Sequence, residues 1–66
     1  MGWMATLKEL RDEKAFSQQD LARLAQVDET TIIDLEKGRR APRPSTRRKL
    51  AKALRVKPKE IEFKLP

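Results

Sequence analysis

The stretch Ser17–Arg40, SQQDLARLAQVDETTIIDLEKGRR, decides how this chain folds. Ser17 with Asp20 three residues on reads as a helix start: the hydroxyl can accept from a first-turn amide, and a carboxylate suits the positive end of the helix. Leu21, Ala22, Leu24 and Ala25 then supply an apolar stripe, and Phe16 ahead of the cap is placed to staple onto Leu21. A few residues later Asp28 can cap another helix, in which Ile32 and Leu35 share a face. Gly38 follows where a helix-ending residue in the left-handed region is needed. Two short helices, Ser17–Ala25 and Asp28–Lys37, joined by a tight turn with small residues at the contact, predict a helix-turn-helix at about residues 17–37.

Reading outward, Thr6 and Glu9 have capping-box spacing for a helix over residues 7–14, with Leu7, Leu10 and Arg11 on one face. Downstream, Arg39–Pro44 is a loop, since its two prolines cannot continue a helix. Pro44 suits the first turn of a fourth helix that carries Leu50, Ala51 and Leu54 inward. Pro58 opens a short fifth helical segment. Ile61, Phe63 and Leu65 then alternate with Glu62 and Lys64, the pattern of a strand or extended tail whose apolar face must pack on the core or on a second subunit. The expected architecture is all-α: a compact five-helix bundle containing a helix-turn-helix, with a short extended C-terminal tail. A single domain over residues 1–66 is expected, with its core at 7–61.

Composition narrows the function. The 66 residues have no room for a second core, and without cysteine or histidine they offer neither a disulfide nor a zinc site. No histidine, cysteine or tyrosine is present to act near neutral pH, and no glycine-rich phosphate loop exists, so neither an enzyme nor a cofactor site is expected. No apolar run approaches the ~20 residues that span a bilayer, and the absence of cysteine favours a cytoplasmic setting.

The net charge of +6 points to an anionic partner, and nucleic acid is the leading one. It is distributed unevenly. Residues 1–36 hold four basic against eight acidic residues, a balance of −4, whereas residues 37–66 hold twelve against two, a balance of +10. Lys37–Lys59 contains eleven basic residues and no acidic one, so one side of the domain carries the electrostatic attraction.

The pieces SQQDLA (Ser17–Ala22), TTIIDLEKGRR (Thr30–Arg40) and KLAKAL (Lys49–Leu54) have the order and spacing of the Xre/Cro helix-turn-helix family, and the chain resembles that family from about Leu7 to Ile61. The resemblance implies a five-helix fold whose third helix enters the major groove of double-stranded DNA. It implies that Glu29, Thr30 and Asp34 face base edges. It implies phosphate contacts from Gln18, at the start of the second helix, and from Arg39, Arg40, Arg43 and Ser45, in the basic loop and the start of the fourth helix. It further implies that Arg11 and Glu36 form a buried structural ion pair. The function implied is a small transcriptional regulator of the repressor kind, resident in the cytoplasm at the nucleoid.

The sequence also departs from the family. Glu29 and Asp34 stand where arginine, glutamine or asparagine is frequent; each repels phosphate, yet a carboxylate can accept from the exocyclic amine of cytosine. Arg47 replaces a usual leucine, and Lys57 a usual capping serine. The acidic reading helix, with Ile33 toward its exposed side, also fits an alternative: a protein–protein interaction module on the same fold, of the antitoxin-like or co-regulator kind. Homodimer formation is consistent with either role, with Trp3 and the Ile61–Leu65 tail as candidate contacts.

Overall fold

The computed structural model describes residues 4–63. Its elements run β1 (Ala5–Thr6), α1 (Leu7–Glu13), α2 (Gln18–Ala25), α3 (Glu29–Lys37), α4 (Pro44–Leu54), a 3-10 turn (Pro58–Glu60) and β2 (Ile61–Glu62). Helix α2 packs against both α3 and α4, and α1 leans on α3.

Local chemistry sets most of these boundaries. Thr6 caps α1 reciprocally with Glu9: the Glu9 amide donates to the Thr6 hydroxyl (3.1 Å) and the Thr6 amide to the Glu9 carboxylate (2.9 Å). Ser17 and Asp20 repeat the arrangement at α2, at 2.9 and 3.0 Å. Pro44 occupies the first turn of α4, where its missing amide costs nothing. Gly38 ends α3 at φ 73°, a conformation that burdens any residue carrying a Cβ.

Three expectations need correction, and a fourth is made more definite. The fifth helix is one 3-10 turn, because the alternating pattern beginning at Ile61 takes over immediately and pulls the chain extended. The strand reading holds at the start of the tail, where β2 pairs in parallel with β1, Ala5 opposite Ile61 and Thr6 opposite Glu62. Asp28 holds the N-cap position of α3 but makes no side-chain capping bond; its main-chain carbonyl accepts from Thr31 and Ile32. Leu24 is 55% exposed, because Leu21, Ala22 and Ala25 already define the buried arc of α2 and position 24 falls outside it.

The core is formed by Leu7, Leu10, Leu21, Ala22, Ala25, Ile32, Leu35, Leu50, Ala51, Leu54 and Ile61. Phe16, Val56 and Phe63 pack at its edge. Ile61 joins the core from the strand pair, so the described end of the chain closes the bundle over α1. Lys64 and Leu65 of the expected tail, like Trp3, lie outside the described residues. Among the described residues no helix is long and apolar enough to cross a membrane.

Replacing Ile61 with alanine removes a core side chain rather than a tail contact, and the expected loss is about 2–5 kcal/mol in urea denaturation. A loss below about 0.5 kcal/mol would mean that β2 is not part of the folded unit. The capping carboxylates give a second expectation. The Thr6 main-chain amide, with its hydroxyl, holds the Glu9 carboxyl below the usual carboxylate range, and the Ser17 amide and hydroxyl do the same for Asp20. Such groups bind fewer protons folded than unfolded, so their stabilisation is present above the ordinary carboxylate range and is lost as pH falls through and below it. Thermal melts should therefore weaken below about pH 4, and the double variant Glu9→Gln/Asp20→Asn should show a shallower acid dependence.

Candidate nucleic-acid interface

One face of α3 is turned away from the core. Ile32, Leu35 and Glu36 occupy the inner side, while Glu29, Thr30 and Asp34 fall within an arc of about 140° on the outer side, at 100° per residue. Glu29 and Thr30 are exposed, and Asp34 and Ile33 are half-buried. Nine residues make α3 about 13 Å long, comparable with the ~12 Å width of a B-DNA major groove.

Asp34 does not stand alone on this face. Gly38 turns the chain back so that the Arg39 amide donates to the Asp34 carbonyl at 2.9 Å. The side chains follow: Arg40 Nη2 donates to Asp34 Oδ2 at 2.8 Å, and Arg39 Nη1 lies 3.6 Å from Oδ1. The hydrogen bond from Arg40, with the charge of both arginines, holds the Asp34 carboxyl below its ordinary value. A residue expected to face bases and two expected to face phosphates are therefore joined to one another. Their separation across a helix-ending glycine is the signal from which this pairing could have been anticipated.

The loop after α3 and the first turn of α4 form the basic part of the surface. Arg39, Arg40, Arg43 and Ser45 are all exposed. Helices α1, α2 and α3 each carry an acid in the first turn, Glu9, Asp20 and Glu29, whereas α4 has none. Its positive N-terminal end, beside Arg43 and Arg47, lacks an internal carboxylate and suits a phosphate. Arg47, where the family favours leucine, is exposed. The later cations of α4 and its capping residue lie elsewhere: Lys49, Lys52 and Arg55 line, with Lys14, an open groove beside Leu24 at the C-terminal end of α2.

Behind this surface, Arg11 and Glu36 meet. Arg11 Nε donates to Glu36 Oε2 at 2.6 Å and Nη2 to Oε1 at 3.2 Å, with the two side chains 11% and 6% exposed. Arg11 Nη1 also donates to the Phe16 carbonyl at 2.9 Å. Hydrogen bonding to Glu36 outweighs the opposing effect of burial and raises the Arg11 guanidinium above its ordinary value. Gln18 adds a third donor to this carboxylate, with Nε2 3.0 Å from Oε1. Its side chain, expected on a phosphate, is thus directed inward onto Glu36. No buried side-chain nitrogen or oxygen lacks a partner among the described residues.

The described residues hold no cluster of histidine, cysteine, aspartate or glutamate suited to a metal ion. Four short helices, with the second and third arranged as a helix-turn-helix and a basic loop following, define a class, and comparison with known families agrees. The helix-turn-helix family model HTH_3 matches residues 7–61, and the chain belongs to this Xre/Cro-type family of DNA-binding transcription regulators. Among solved structures it is similar to the restriction-modification controller protein C.AhdI from Aeromonas hydrophila, at 39% identity over 82% of each chain and a TM-score of 0.79. A comparison with curated proteins returned no match.

Truncating Glu36 to alanine would leave the Arg11 guanidinium buried without its anion, and the expected cost is about 3–5 kcal/mol in chemical denaturation. Arg11→Lys, which keeps the charge but loses the planar fork, should also destabilise the fold, though by less. A loss under about 1 kcal/mol for Glu36→Ala would show that solvent replaces the pair without penalty.

Proposed function

We propose that this protein binds double-stranded DNA sequence-specifically, with α3 in the major groove and the 39–43 loop and the first turn of α4 on flanking phosphates. The observation that carries this reading is the adjacency of the outer face of α3, sized for a major groove, to an arginine-rich loop and a helix N-terminus without an acid of its own. Glu29, Thr30 and Asp34 are the base-facing residues, the carboxylates accepting from cytosine amines. Arg39, Arg40, Arg43 and Ser45 contact phosphates. Gln18 contributes its main-chain amide at the N-terminus of α2, since its side chain bonds Glu36.

The biological role is transcriptional regulation in the cytoplasm, at the nucleoid, with repression by occupancy of promoter DNA as its simplest mode. Similarity to a restriction-modification controller protein makes the promoter of such a gene set a suitable first target. A homodimer on a near-palindromic site, with half-sites about 34 Å apart, fits the motif. The alternative role as a protein-interaction module drew on the acidity of α3, and the pairing of Asp34 with Arg39 and Arg40 removes part of that support.

Selection from a random duplex library, followed by anisotropy titration of the selected site across a salt series, tests the proposal. Binding should weaken steeply between about 50 and 200 mM salt. Arg43→Ala should weaken binding to all sequences alike and flatten the salt slope by about one unit, while Thr30→Ala should alter sequence preference with little change in slope. Failure to bind duplex DNA at low salt would overturn the proposal in favour of the protein-interaction role.

A further inference from the structure

The two carboxylate oxygens of Asp34 are both engaged, Oδ2 by Arg40 and Oδ1 by Arg39, while the Asp34 carbonyl holds the Arg39 amide. The Asp34 side chain is only 16% exposed, whereas the Arg39 and Arg40 side chains are 62% and 52% exposed. The carboxylate is therefore enclosed by its partners, and the partners themselves stand open to solvent. A base donor that reaches Asp34 competes with the two arginines for the carboxylate. Arg40, tethered through Nη2 to Asp34 Oδ2, is restrained in how far its guanidinium can reach toward a phosphate.

We propose that Asp34 is a specificity-determining latch: it holds Arg39 and Arg40 off the phosphates until a donor on the correct base replaces them at the carboxylate. On an arbitrary sequence the carboxylate in the groove meets no suitable donor, so it keeps the arginines and two phosphate contacts are withheld. On a site that offers an exocyclic amine to Asp34, the amine takes one carboxylate oxygen and the freed guanidinium turns to the backbone. Base reading and backbone clamping thus become one linked event. Part-exposed ion pairs of this kind are weak enough to exchange, so the latch sets a threshold rather than a block. No covalent step is involved, and the charge of the interface is unchanged by the exchange.

This inference rests on the proposed DNA-binding role, so its test includes a reading that does not depend on DNA. In the free protein, NMR titration of the Asp34 carboxyl should give a value below that of an unpaired aspartate, returning to the ordinary range in Arg39→Ala/Arg40→Ala. An ordinary value in the unmodified protein would overturn the latch, whatever the outcome with DNA. In the DNA arm, Asp34→Asn removes the charge and keeps the shape. Binding to random duplex should tighten by roughly three- to tenfold, from the release of two weak pairs. Its salt slope should steepen by about one to two units as the arginines reach phosphates. Binding to the selected site should not tighten, so discrimination narrows from the nonspecific side. Unchanged or weaker binding of Asp34→Asn to random duplex, in a variant with an intact thermal transition, would overturn the inference even if the unmodified protein binds its site. Failure of the unmodified protein to bind any duplex overturns the DNA-binding role itself and is thereby distinguished.

Discussion

The orientation of α3 depends on a two-point contact between Arg11 of α1 and Glu36 of α3. Both side chains are nearly withdrawn from water, and the carboxylate accepts two bonds from the guanidinium and a third from Gln18 at the start of α2. The same guanidinium holds the Phe16 carbonyl in the turn before α2. One ion pair thereby fixes three helices and a turn relative to one another. Burying two charges is expensive, and a well-packed apolar pair of similar volume could bind the helices as tightly. What an apolar pair lacks is direction: a planar fork meeting a carboxylate at 2.6 and 3.2 Å tolerates little rotation of α3 about its own axis.

That rotation matters because the outer face of α3 carries the residues that would meet bases, and its C-terminal end leads into the basic loop. Gly38 makes the sharp return possible and brings Arg39 and Arg40 back over Asp34. The charge imbalance along the chain, −4 before residue 37 and +10 after it, is thus joined at one place, where an acid of the first part holds two arginines of the second. The remaining cations do not act as one body. Arg43 and Arg47 attend the N-terminal end of α4, while Lys49, Lys52 and Arg55 gather around a separate groove near Lys14 and Leu24.

Much of the helical framework was legible because its signals are local. Thr6, Ser17, Pro44 and Gly38 act on amides and carbonyls within one turn of themselves, and the spacing of Leu7 and Leu10, or of Ile32 and Leu35, needs only the helical repeat. Sequence and structure part where a residue's role depends on what lies across from it. Leu24 looks like its neighbour Leu21 in the sequence, yet the packing of α2 on α3 and α4 covers one and leaves the other open. Asp28 has the right chemistry for a cap, but its side chain makes no such bond. The strand at Ala5–Thr6 has no signature of its own, since two residues become a strand only by pairing with Ile61–Glu62. Arg11 and Glu36 were expected to meet only through resemblance to a family; no spacing rule connects residues 25 positions apart.

By itself the sequence determined the four main helices, the stops between them, most of the inward face of each, and an attraction to polyanions set by the basic second part of the chain. These follow from backbone hydrogen bonding, side-chain periodicity and net charge, which act over a few residues or need no geometry at all. The tertiary structure alone decided the parallel strand pair that closes the bundle, the inward turn of Gln18 onto Glu36, and the pairing of Asp34 with the loop arginines. Each requires groups from different elements to arrive within about 3 Å in a set direction, and only the packed core fixes where those elements stand.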